Sequence, residues 1–107
     1  MNNDKFIFKA AKALGDRNRL LILREIARQG SLTVTQAQHL TNLAQPSISH
    51  HVKLLTESEL IDANKTGRTV NLSLNQEKMS WFIDFFALLG KTETLGPEPI
   101  ASRVASN

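Results

Sequence analysis

Five side chains in the stretch from Ala44 to Leu55, AQPSISHHVKLL, offer the clearest chemistry in this sequence: Gln45, Ser47, Ser49, His50 and Lys53. At helical spacing they share one face. An ordinary solvated helix face is crowded with Glu and Lys, whereas this one carries short hydrogen-bonding groups, an imidazole and a single cation. Such groups suit close approach to base edges and phosphate oxygens in a DNA major groove. The plainer reading is the polar side of an ordinary amphipathic helix, and the stretch alone does not separate the two.

Other chemistry has little to stand on. Ser47 or Ser49 beside His50 pairs a nucleophile with a base, but the sequence places no orienting carboxylate next to them. Patterns such as GxSxG, HExxH, GxGxxG and a phosphate-binding Walker loop are all missing, so no enzyme is expected. His39, His50 and His51 make a zinc site only if the fold gathers them, with Asp62 or Asp84 adding oxygen. No two histidines stand at i, i+4, and adjacent helical residues point about 100° apart, so neither metal nor cofactor is expected. The chain has no cysteine, which excludes disulfides, thiolate metal sites and thiol redox sensing.

The candidate face needs a helix and a core to hold it. Pro46 suits a helix start, where its missing N–H costs nothing. Ile48, Val52 and Leu55 recur at i, i+4 and i+7 as a stripe toward a core. Upstream, Asp4 to Leu14 reads as a first helix with Ile7, Ala10, Ala11 and Leu14 on one face. Asp16 caps a second helix, Arg17 to Gln29, which is apolar over most of its circumference and ends at Gly30. Thr33 or Thr35 caps a third helix running to about Leu40, with Val34, Ala37 and Leu40 inward. The link Thr41 to Ala44 then leads to the polar-faced helix, a helix-turn-helix pattern.

From Leu60 to Leu74 the periodicity changes. Val70, Leu72 and Leu74 alternate with Asn71 and Ser73, as in a strand, and Lys65, Thr66, Gly67 and Arg68 form a turn. A hairpin after a helix-turn-helix is a wing, and Lys65 and Arg68 at its tip are placed to reach phosphates or the minor groove. The plainer reading of these two is a solvated turn.

Gln76 to Leu89, QEKMSWFIDFFALL, returns to helix and is apolar nearly all round. A terminal helix of a small domain buries one face on its own core, so a second surface is required, most simply a second copy of the chain. Ile7, Trp81, Phe82, Phe85, Phe86 and Leu89 are the expected dimer contacts. The segment is too short for a membrane span and lacks a flanking basic cluster, so no membrane partner is expected. Residues 90–107, with Gly96, Pro97 and Pro99, read as a flexible tail after a DNA-binding and dimerisation unit over 1–89.

The whole chain has 107 residues, 41% hydrophobic and 21% charged, which suits one globular domain with a modest core. Its net charge of +3 supports a nucleic-acid partner only weakly, because the basic residues concentrate in the first quarter. The opening MNNDKFIFKAAKAL has an early acid and no long apolar run, so no signal peptide is read there and a cytoplasmic location is expected.

In this order of elements the sequence resembles the ArsR/SmtB family of bacterial winged-helix repressors. KALGDRNRLLILREI resembles the family's second-helix signature, AQPSISHHVKLL followed by ESELI its recognition helix and wing start, and TGRTVNLSLN its wing return strand. The likeness spans about Phe6 to Leu89 and lies in the ordered combination. It implies a mainly α fold with a β-hairpin wing, a homodimer formed through the first and last helices, a two-fold-related operator, and repression relieved by an inducer of unknown identity. It places Gln45, Ser47, Ser49 and His50 against bases or phosphates, His51 and Lys53 in backbone contacts, and Lys65 and Arg68 on the wing.

The departures are equally specific. Where many relatives carry a Cys-Val-Cys metal box, this chain has Thr33, Val34 and Thr35. Others use Asp and His on the last helix, but no histidine follows His51 here. The usual Ser before the Gln-Pro pair is Ala44, leaving Gln45 or a backbone group to cap the helix. Besides a metal-independent repressor, two further readings are a metal-responsive repressor with a His/carboxylate site and a winged-helix protein-interaction module.

Overall fold

The computed structural model describes residues 3–91. Five helices and three short strands follow in the order α1 (Asn3–Leu14), α2 (Arg17–Gln29), β1 (Leu32–Thr33), α3 (Val34–Thr41), α4 (Gln45–Glu57), β2 (Ile61–Thr66), β3 (Thr69–Leu74) and α5 (Gln76–Leu89). Apart from Gly90 and Lys91, the expected tail lies outside the described residues.

Local chemistry sets most of the boundaries. The Asp16 carboxylate accepts the N–H groups of Asn18 and Arg19 and starts α2. Gly30, at φ +87°, ends α2 by donating its N–H to the Ile26 carbonyl. Of the two candidate threonines, Thr33 opens α3: its hydroxyl accepts from Gln36 N–H while the Gln36 side chain accepts from Thr33 N–H, a reciprocal capping box. Asn75 caps α5 through Lys78 N–H.

The core gathers Ala10 and Ala13 of α1, Ile22, Leu23 and Ile26 of α2, Leu32, Ala37, Ile48 and Leu55, and Leu60, Ile61 and Leu72 beside the wing. Burying an aliphatic side chain of this size contributes about 1.5–3 kcal/mol, so Ile48 and Leu55 hold α4 with several kcal/mol between them. Two expected inward residues face out. On α1, Ala13 takes the place assigned to Ala11, because the buried row runs from Ile7 through Ala10 to Ala13. On α3, Leu40 is 37% exposed, since the helix is only eight residues long and is anchored through Ala37.

The sheet has three strands, not the two expected from the hairpin pattern, in the order β1-β3-β2. Leu32 pairs with Leu72 and Thr33 with Asn71, so the segment before α3 is stitched to the wing's return strand. β2 and β3 run antiparallel from the Ile61–Leu74 pair to the Thr66–Thr69 pair, closing over Gly67 and Arg68. Gly67 has φ +63°, the backbone a two-residue hairpin loop requires at its first position. Beyond Ile61 every residue of β2 is exposed, so the hairpin projects from the body.

Candidate nucleic-acid interface

The helix-turn-helix is α3, the turn Asn42–Leu43–Ala44, and α4. Asn42 supplies the left-handed residue at φ 57°, with its N–H on the Gln38 carbonyl. Asn tolerates this region better than other residues that carry a side chain. Ala44 occupies the N-cap of α4 and offers no side-chain hydrogen bond, so the first-turn N–H groups keep no side-chain partner; Pro46 sits in that first turn. Sequence reasoning left Gln45 or a backbone group as the cap; the cap position itself belongs to Ala44.

Ile48 and Leu55 are completely buried and Val52 is half-buried, which turns the other side of α4 outward. Gln45, Ser47, Ser49, His50 and Lys53 are all exposed. The fold thus brings five of the expected contact residues onto one open surface.

His51 departs from this group. Its side chain retains 13% of its exposure and faces α2, where Arg19 Nη1 lies 3.1 Å from His51 Nδ1. Its Nδ1 is thus engaged inside the chain rather than presented with the five open side chains. Asp16 Oδ1 is 3.8 Å from the same nitrogen. The Asp16 carboxyl is held below its ordinary value, first by the Arg19 N–H that it accepts; burial opposes this, and the Arg19 guanidinium, the charged form of His51 and the Asn18 N–H add to it. Sequence reasoning missed Arg19 as a member of the site, since nothing local links it to a residue 32 positions away.

At its far end α4 is joined tightly to the wing. Ser58, buried, donates its hydroxyl to the Leu55 carbonyl at 2.6 Å and accepts Leu60 N–H at 3.3 Å. Glu59 follows at φ 69° and turns the chain into β2. Asn75 N–H donates to the Leu60 carbonyl at 2.9 Å, closing the base of the hairpin against the start of α5. Lys65 and Arg68 are exposed at and beside the tip, and among the described residues neither they nor Lys53 makes an ion pair.

The expected dimer contacts are divided. Phe86 and Leu89 are 46% and 53% exposed, Trp81, Phe82 and Phe85 are half-buried, and Ile7 is already packed in the chain's own core. Among the described residues Phe8, Ile83 and Leu88 are the most exposed large apolar side chains, and no residue of α5 is fully buried. Phe6 makes edge contacts with Trp81 and Phe82, seating α5 on α1, and a groove lined by Phe6, Ile7, Trp81, Asp84, Phe85 and Leu88 runs between them. Among the described residues no three His, Cys, Asp or Glu side chains gather to hold a metal ion, and no helix is long and apolar enough to cross a membrane.

A short helix, a three-residue turn, a helix with an open polar face and a hairpin with a basic tip together make a winged helix-turn-helix. The sequence model of the "Bacterial regulatory protein, arsR family" matches residues 16–63, from the cap of α2 into the wing. The transcriptional repressor SdpR of Bacillus subtilis is 32% identical over 78 residues, 69% of this chain and 86% of that protein. The arsenical resistance operon repressor of Bacillus subtilis is 30% identical over 69 residues, 64% of this chain and 66% of that protein. Among solved structures, an ArsR-like transcriptional regulator from Rhodococcus sp. RHA1 has the same fold with a TM-score of 0.72 at 18% identity, over 84% of each chain. A homodimeric winged helix-turn-helix DNA-binding domain from Mycobacterium bovis matches with a TM-score of 0.64 at 21% identity, over 79% of each chain. The chain belongs to the ArsR family and is a DNA-binding transcriptional regulator. Its relatives are regulators, not enzymes.

Proposed function

We propose that the protein is a cytoplasmic, homodimeric repressor that binds a palindromic operator with α4 in the major groove. The observation that carries this reading is the division of α4 itself: Ile48 and Leu55 are sealed in the core while Gln45, Ser47, Ser49, His50 and Lys53 stand open. The first-turn N–H groups of α4, free of any side-chain cap, suit a phosphate oxygen. Lys65 and Arg68 add wing contacts to the flanking backbone. The uncovered apolar surface of α1 and α5, residues Phe8, Ile83, Phe86, Leu88 and Leu89, supports dimerisation through the first and last helices. A two-fold dimer presents two recognition helices, and an inverted repeat is the DNA sequence with matching symmetry.

Regulation in this chain differs from that of relatives named for arsenical resistance. Without cysteine it has no thiolate for a soft metalloid or a thiol-based signal. The inducer is either a small organic molecule or absent, with protein abundance setting repression. The test is selection of genomic DNA fragments by the purified protein, with zinc or with chelator. Enrichment of an inverted repeat under both conditions is the expected result. Recovery only under chelation would establish a metal-responsive repressor, and no enrichment under either condition would overturn the repressor reading.

A further inference from the structure

The contact that withdraws His51 from the surface joins three helices at one guanidinium. Arg19 Nε donates to the Ala13 carbonyl at the end of α1 at 2.5 Å. Arg19 itself lies in the first turn of α2, above Asp16, whose Oδ2 is 3.9 Å from Nη1. The same Nη1 donates to His51 Nδ1 on α4 at 3.1 Å. Guanidinium is only a donor, so Nδ1 must be the acceptor and the imidazole neutral, with its hydrogen on Nε2. His51 adjoins His50 of the open face, their ring centroids 6.1 Å apart.

We propose that Arg19 and His51 are a positioning pair that sets the rotation and depth of α4, so that sequence discrimination depends on a neutral His51. Neither residue needs to touch DNA. The inference rests on the reading of α4 as the recognition helix. Hydrogen-bond readout of bases tolerates errors of only about 0.5 Å, whereas attraction to phosphates survives small rotations. Loosening the pair therefore harms discrimination and spares general affinity.

Protonation is the natural way to loosen it. A proton on Nδ1 removes the acceptor and sets an imidazolium against the Arg19 guanidinium. The Asp16 carboxylate at 3.8 Å offsets part of that repulsion. Other titratable groups nearby include His50 on α4 itself and Lys9, Lys12 and Glu57, which line the cavity beside Arg19.

The experiment compares binding to the inverted repeat recovered by selection with binding to a scrambled duplex, at pH 8 and pH 5.5, where imidazoles change charge. The native protein should lose about tenfold in the ratio of the two affinities on acidification. His51→Gln, which keeps an acceptor and does not titrate, should hold a high ratio at both pH values. His51→Ala should show a low ratio at both, with an unchanged salt slope. A native ratio in His51→Ala, or the same pH dependence in His51→Gln as in the native chain, would overturn the proposal. So would equal losses on both duplexes with a shallower salt slope, which would make His51 a phosphate contact. Amide-exchange protection of α4 in the free protein needs no operator and separates this inference from the repressor reading. Protection should fall in His51→Ala and, on acidification, in the native chain; unchanged protection in both would refute the pair even if no DNA fragment were ever enriched.

Discussion

The ammonium of Lys78 lies 2.8 Å from Glu59 Oε1 and 4.4 Å from the centre of the Trp81 ring. It links the left-handed residue that ends the recognition-helix region to the aromatic surface of α5. Replacing Lys78 with Met removes a cation–π contact worth about 0.5–1 kcal/mol and a partly exposed ion pair worth about 0–1 kcal/mol. The expected cost is about 1 kcal/mol of stability, while the Met stem retains most of the apolar contact. Trp81 is the sole tryptophan, so its emission reports both the local change and denaturant unfolding. An unaltered midpoint would show that the contact contributes nothing.

Ser47 and His50 stand on the open face of α4, and replacing either with Ala should cost on the order of 1–3 kcal/mol at the operator while relaxing base preference. Binding to a panel of single-base operator variants measures this. Preference identical to that of the native protein would remove these residues from direct readout.

Arg68 at the wing tip is exposed, and Arg68→Ala should weaken every sequence about equally and lower the slope of log affinity against log salt by about 1. Titrations at several salt concentrations decide the matter. A loss confined to one sequence would mean the wing reads bases.

Ile83 is 57% exposed on α5 and makes a cleaner interface probe than Phe85, which is half-buried within its own chain. Ile83→Glu should leave the fold intact but give monomers by sedimentation, with much weaker operator binding. A dimer that survives the change would move the interface away from this surface.

Asp16 caps α2, and Asp16→Ala should cost about 1 kcal/mol near neutral pH. Its carboxyl is held below the ordinary value, chiefly by Arg19 N–H, so the folded state binds this proton less readily than the unfolded chain. The resulting stabilisation is present above the unfolded pKa and disappears as pH falls through the folded one. The gap between native and variant should therefore narrow below about pH 4, measured by urea unfolding. A gap that stayed constant with pH would assign the effect to helix propensity alone.

The parts of the fold legible in the sequence are those governed by neighbours a few residues apart. Asp16 and Thr33 as caps, Gly30 as a helix end, Gly67 as a turn residue and the inward row of Ile48, half-buried Val52 and Leu55 all follow from hydrogen bonds or periodicity within one or two helical turns. The open face of α4 was legible for the same reason: once its stripe is buried, Gln45, Ser47, Ser49, His50 and Lys53 have nowhere to go but outward.

Contacts between distant segments were decided only by tertiary structure. β1 is two residues long and has no periodicity of its own; it exists because Leu32 meets Leu72 across the sheet. Leu40 is apolar and correctly spaced, yet the neighbouring elements do not cover it. Helical spacing already sets His51 apart from the five residues of the open face, but nothing in the sequence names its partner. The fates of His50 and His51 diverge because adjacent helical positions point in different directions and α2 presents Arg19 to only one of them. Local chemistry thus determined which face of α4 stands open, while long-range packing decided which of its two histidines is engaged by Arg19.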